Sequence, residues 1–111
     1  MLYKNIQIGE RNYKMCSAAS VNFVYQNIFN DDFLARLDMD NPGAALTPFM
    51  KMAFVMAKVG ELGREEANKL QPKDFEAWMD EFTFADMMNA IEEIQTFYLE
   101  ASSGTVDSKK N

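Results

Sequence analysis

Phe84-Ala85-Asp86-Met87-Met88-Asn89-Ala90-Ile91-Glu92-Glu93-Ile94-Gln95-Thr96-Phe97-Tyr98 is the stretch that decides the architecture of this chain. Apolar residues return at Phe84, Met87, Met88, Ile91, Ile94 and Tyr98, three or four positions apart, opposed by Asp86, Asn89, Glu92, Glu93 and Glu100. An α-helix needs that period to lay one apolar stripe on a core while its other face stays in water. Thr83, with Asp86 three residues on, resembles a capping box with aspartate in the glutamate place, so the helix is expected to open at Phe84. Tyr98 closes the stripe with a ring that packs while its hydroxyl stays near water.

Working outward, Phe75, Trp78, Met79 and Phe82 repeat the i, i+3, i+4, i+7 spacing and predict a preceding helix. Trp78, Phe82, Phe84, Met88 and Ile91 are expected to be largely buried. Thr47-Pro48 is a helix start, because the hydroxyl caps and a proline at the first helical position loses no internal hydrogen bond. That helix is predicted to reach about Leu62, with Gly63 ending it. A short helix over Arg64 to Leu70 follows, closed by Gln71-Pro72. Earlier still, Ser17 is the expected cap of a helix striped by Val21, Val24, Tyr25 and Ile28. Asn30-Asp31-Asp32 interrupts or bends it before Phe33, Leu34 and Leu37, and Asp38-Met39-Asp40-Asn41-Pro42-Gly43 reads as a loop.

Only the N-terminus departs from helical spacing. Leu2, Ile6 and Ile8 share one face of an alternating segment, Gly9-Glu10-Arg11-Asn12 supplies turn chemistry, and Tyr13-Lys14-Met15-Cys16 returns, which predicts a β-hairpin. The expected class is α+β, mainly α: an N-terminal hairpin packed on a small bundle of about four or five helices. The domain is predicted to span residues 1–101. From Ser102 onward the chain has almost nothing to bury, so residues 102–111 are expected to form a flexible tail.

Composition narrows the function. The chain's 111 residues suffice for one hydrophobic core and not two. Seventeen acidic against 11 basic residues give a net charge of −6, and Lys and Arg stand singly until Lys109 and Lys110. A nucleic-acid binder needs a basic patch to displace counterions, so that class is excluded. Cys16 is the single cysteine, which forbids an intramolecular disulfide and points to a reducing cytoplasm. Met1 to Gln7 lacks the continuous apolar run of a signal peptide. Pro48 to Gly60 is broken by Lys51 and Lys58 and is shorter than the roughly 20 residues a membrane span needs.

Catalytic chemistry is thin. The chain has no histidine, hence no imidazole base, imidazole metal ligand or His-dependent triad. Cys16 is expected in the core. Asp31-Asp32, Glu65-Glu66 and Glu92-Glu93 are adjacent pairs whose side chains diverge on a helix, so solvated faces and helix starts explain them. Asp38 to Gly43 has the first, third and sixth positions of a calcium loop, but Pro42 takes the fifth and Phe49 stands where the bidentate glutamate belongs. No enzyme activity, metal or cofactor is expected.

Methionine is the compositional oddity, with nine residues, eight of them internal. On the helix from Thr47, one face carries Phe49, Met52, Ala53, Met56 and Gly60, while Met50, Phe54 and Ala57 extend the apolar surface round the side. Lys51 and Lys58 mark the only wet stripe. Such a helix can be the central element of the core. Alternatively Met50, Phe54 and Ala57 form a protein-binding patch, for self-association or for an apolar client, since Met adapts its shape to irregular partners.

The order of parts resembles the tail assembly chaperones of long-tailed bacteriophages (siphophages and related prophages). The likeness runs over residues 1–101: a short hairpin ending in Tyr13-Lys14-Met15, a helix from Ala18 to Phe29 with an aromatic and Asn/Asp-rich end, and a Met/Phe-rich middle helix. An acidic lead-in, Leu70-Gln71-Pro72-Lys73-Asp74-Phe75, and an amphipathic helix complete it. The resemblance implies a factor of the host bacterial cytoplasm that coats the tape measure protein and, in many phages, recruits tail tube subunits. It also implies a translational slip near the gene's end, for which an adenine-rich Lys109-Lys110-Asn111 would serve and the preceding tail would be a linker. No functional residue is carried over. The competing readings are a small helical adaptor or regulatory protein and a small carboxylate enzyme; gene neighbourhood separates the first two, and a pocket with convergent carboxylates would mark the third.

Overall fold

The computed structural model describes residues 2–36 and 46–107, with side chains described through Ala101. Strands β1 (Tyr3–Ile8) and β2 (Arg11–Cys16) are followed by α1 (Val21–Phe29), α2 (Phe33–Arg36), α3 (Leu46–Leu62), α4 (Arg64–Ala67), α5 (Pro72–Met79) and α6 (Phe84–Asp107). The class is α+β, mainly α, as the alternation at the N-terminus and the stripes beyond it predict. The boundary drawn at Ser102 falls inside α6. The Asp38 to Gly43 loop and the Lys109-Lys110-Asn111 end lie outside the described residues.

The hairpin forms where the sequence alternates. Its antiparallel register runs from Tyr3 opposite Cys16 to Ile8 opposite Arg11, and Gly9 at φ 63° supplies the left-handed turn residue. Ile6, Ile8 and Met15 point inward and are buried, while Asn5, Gln7, Asn12 and Lys14 face water. Ser17 does not cap α1. It prolongs the ladder, its N–H donating to the Leu2 carbonyl at 2.9 Å, and α1 starts only at Val21, without any side-chain cap.

α3 is the central element. Every residue from Phe49 to Val59 is buried except the half-buried Lys51 and Lys58. It lies against β2 so closely that a Cβ at Gly60 would stand 1.8 Å from the Lys14 carbonyl oxygen. Ten aromatic rings then form one connected chain through the molecule. Phe82, Tyr13 and Trp78 meet edge to face at 5.0 to 6.0 Å. Phe54 joins Trp78 at 5.6 Å to Phe75 and Phe29. Phe29 leads through Tyr25 to Phe33, where Phe49 and Tyr98 close the far end. Edge-to-face pairs of this kind contribute about 0.5–1.5 kcal/mol each beyond the area they bury.

α6 opens on the predicted box: Thr83 Oγ1 accepts from the Asp86 N–H and Asp86 Oδ2 from the Thr83 N–H, both at 3.0 Å. Trp78 and Ile91 are buried as expected and Phe82 is half-buried, but Phe84 and Met88 are 70% and 41% exposed. The buried face is Met87, Ala90, Ile91, Ile94, Phe97 and Tyr98. The Gly9 turn of the hairpin rests on Asp86, two residues and 200° round the helix from Phe84, so the first turn is clamped on the side opposite Phe84.

Candidate protein-binding surface

Met50, Phe54 and Ala57 are brought together, but inside the protein: they are 7%, 0% and 3% exposed. Phe54 is walled by the rings of Phe29, Phe75 and Trp78. Lys58 reaches over Phe54 at 6.0 Å and Lys51 over Phe29 at 5.1 Å, so even the wet stripe of α3 is laid down as a lid on aromatic faces. The patch expected there is therefore not a surface of the folded chain. A helix that is apolar nearly all round belongs in a core, and the hairpin, α1, α5 and α6 enclose this one.

On α3 only the terminal Leu62 is an exposed large apolar side chain among the described residues; the others stand elsewhere, Leu2 and Tyr3 among them. Phe84 and Met88 stand one turn apart at the start of α6, Phe23 is 67% exposed on the outer face of α1, and Leu34 is 56% exposed on α2. Leu34 rims a crevice of about 350 Å³ with Ala18, Val21 and Ala101. Its wall includes Tyr98, whose hydroxyl donates to Asn22 Oδ1 at 2.8 Å. For Leu34 and Met88 the missed signal is position, each at the margin of a helical stripe, whereas Phe23 lies on the side of α1 opposite the Val21, Val24, Tyr25 and Ile28 stripe.

A second, polar cleft of about 620 Å³ separates the hairpin turn from the corner between α5 and α6. Of its three carboxylates, Glu81 is engaged by the Arg11 guanidinium and Asp86 by the Thr83 amide, and Glu10 is exposed at the hairpin turn. Elsewhere a three-point contact from the Arg36 guanidinium holds the Asp31 carboxyl below its usual range, at the surface. Burial pushes the Tyr25 phenol up to about 12. Its hydroxyl, like Tyr13 Oη and Trp78 Nε1, has no hydrogen-bond partner among the described residues. Cys16 is buried, its sulfur facing the Ala18 amide at 3.5 Å. Among the described residues no three His, Cys, Asp or Glu side chains are placed to hold a metal ion, and no helix is long and apolar enough to cross a membrane.

Comparison with protein-family models, with curated proteins and with solved structures finds no match for this chain.

Proposed function

We propose that this chain is a non-catalytic protein-binding factor of the bacterial cytoplasm, a phage tail assembly chaperone whose client is the tape measure protein and, in the manner of that class, tail tube subunits. One observation carries the reading furthest. Phe84 and Met88 project together from the first turns of α6, an aromatic ring beside an unbranched thioether, which suits contact with varied apolar segments of a client. This moves the binding residues from α3 to α6 and leaves the core out of the contact.

Co-expression with a long, helical tape measure protein tests it. The wild-type chain should keep that protein soluble, and a variant carrying Phe84→Glu with Met88→Glu should lose this effect while its helical circular dichroism stays unchanged. A client that aggregates equally with and without the wild-type chain, or is held equally well by the variant, would defeat the proposal.

A further inference from the structure

The two edges of the hairpin are treated differently. The Ser17 N–H to Leu2 O bond fixes which cross-strand pairs exchange hydrogen bonds: Leu2 with Ser17, and by alternation Lys4 with Met15, Ile6 with Tyr13 and Ile8 with Arg11. Main-chain groups of the intervening residues point away from the hairpin. On β2 these include Lys14 and Cys16, and α3 covers them there, the Gly60 Cβ position lying 1.8 Å from Lys14 O and 3.5 Å from Cys16 N. On β1 they belong to Tyr3, Asn5 and Gln7. All three residues are exposed, and among the described residues no backbone or side-chain hydrogen bond reaches their outward N–H or C=O groups.

Folded proteins blunt such an edge with proline, a bulge or a charge in the outer row. β1 has no proline and no bulge; its one charge, Lys4, is on the inner face and paired with Glu93, and its outer row is Tyr3, Asn5 and Gln7, all neutral. We propose that β1 pairs antiparallel with β1 of a second copy about a twofold axis at Asn5, joining two hairpins into one four-stranded sheet. This inference does not rest on the chaperone reading. In this register Asn5 faces Asn5 of the second copy, and Tyr3 and Gln7 face each other on either side. Three such pairs give about six N–H···O bonds. Charge selects the register. Lys4, already held by Glu93 at 3.4 Å on the inner face, falls opposite Ile6 of the second copy. Sliding by two residues one way sets the two Lys4 side chains directly opposite each other, which is repulsive. Sliding the other way leaves Tyr3 facing the Gly9 turn and loses a pair. A six-residue edge buries less than the roughly 800 Å² per partner of a stable dimer, so the association is weak and depends on concentration.

Sedimentation of the full chain over a wide concentration range should show the average mass rising toward double the monomer's. Hydrogen exchange should show the amides of Tyr3, Asn5 and Gln7 slowing with that rise. Asn5→Pro removes an outward N–H that the hairpin ladder does not use, and should stay monomeric with unchanged circular dichroism. If that variant fails to fold, Asn5→Lys, which sets like charges opposite each other, should have the same effect on mass. A wild-type chain that is monomeric throughout, a dimer indifferent to the substitution at Asn5, or one whose three amides exchange freely would overturn the proposal.

Discussion

Gly60→Ala sets two known effects against each other, and their sizes decide the sign. In a free helix interior the change stabilises by about 0.8–1.0 kcal/mol, because alanine loses less backbone entropy than glycine. Here the added Cβ would lie 1.8 Å from the Lys14 carbonyl oxygen and 2.9 Å from its carbon. Both are main-chain atoms, so no side chain can rotate away. A tolerable carbon–oxygen contact begins near 3.3 Å, so α3 and β2 must part by about 1.5 Å. A gap of that size removes a large share of the dispersion contacts around it, and here it opens beside the buried Met15, Cys16, Met56 and Val59. Overpacking of this kind costs about 3 kcal/mol at the upper end of its usual range. The net expectation is a loss of about 2 kcal/mol, or a melting point lower by roughly 10 °C for a domain of this size. Urea and thermal unfolding followed by Trp78 fluorescence and by circular dichroism read it directly. A variant that melts at or above the wild-type temperature would refute the close approach of α3 to β2.

Two further outcomes follow from burial. Phe54→Ala should cost about 3–5 kcal/mol, since it empties the site between Phe29, Phe75 and Trp78, whereas Phe84→Ala should stay within about 0.5 kcal/mol of wild type; denaturant midpoints that reverse this order would put Phe54 at the surface. Tyr25 gives a pH dependence: its folded value of about 12 against an ordinary 10.0 means the unfolded chain loses the phenolic proton first. Its contribution is therefore fully present below pH 10 and is lost as pH rises from 10 to 12. Tyr25→Phe should flatten that part of the profile, and a slope that persists in the variant would show that another group causes it.

The sequence shows element type wherever the physics is local. Alternation at Leu2 to Ile8 and the Thr83 and Asp86 box each act within a few residues, and the elements they predict are present, whereas Pro72, read as the close of the short helix before it, also opens α5. What the sequence could not supply is the rotation of an element about its own axis. The α6 stripe was legible, but the same helix has Ala90 and Phe97 beside it, and only the docking of the Gly9 turn and the Tyr98 contact to Asn22 select the face that includes them. Ser17 failed as a cap for a related reason: the ladder offered its amide the Leu2 carbonyl before a helix could form. For α3 the signal was available. Only two polar residues interrupt Phe49 to Val59, and a helix with so narrow a wet stripe has no free apolar face to offer a partner.

That rotation also separates the two surfaces that remain. α6 turns Asp86, Asn89, Ala90 and Glu93 toward β1, as the Gly9 contact, the crevice they share with Gln7, and the Lys4 to Glu93 pair show. Phe84 and Met88 stand on the opposite flank, about half a turn away at 100° per residue. A second hairpin added at the β1 edge therefore leaves the Phe84 and Met88 side uncovered. The two proposals are thus independent, and a substitution at Asn5 tests self-pairing without touching Phe84 or Met88.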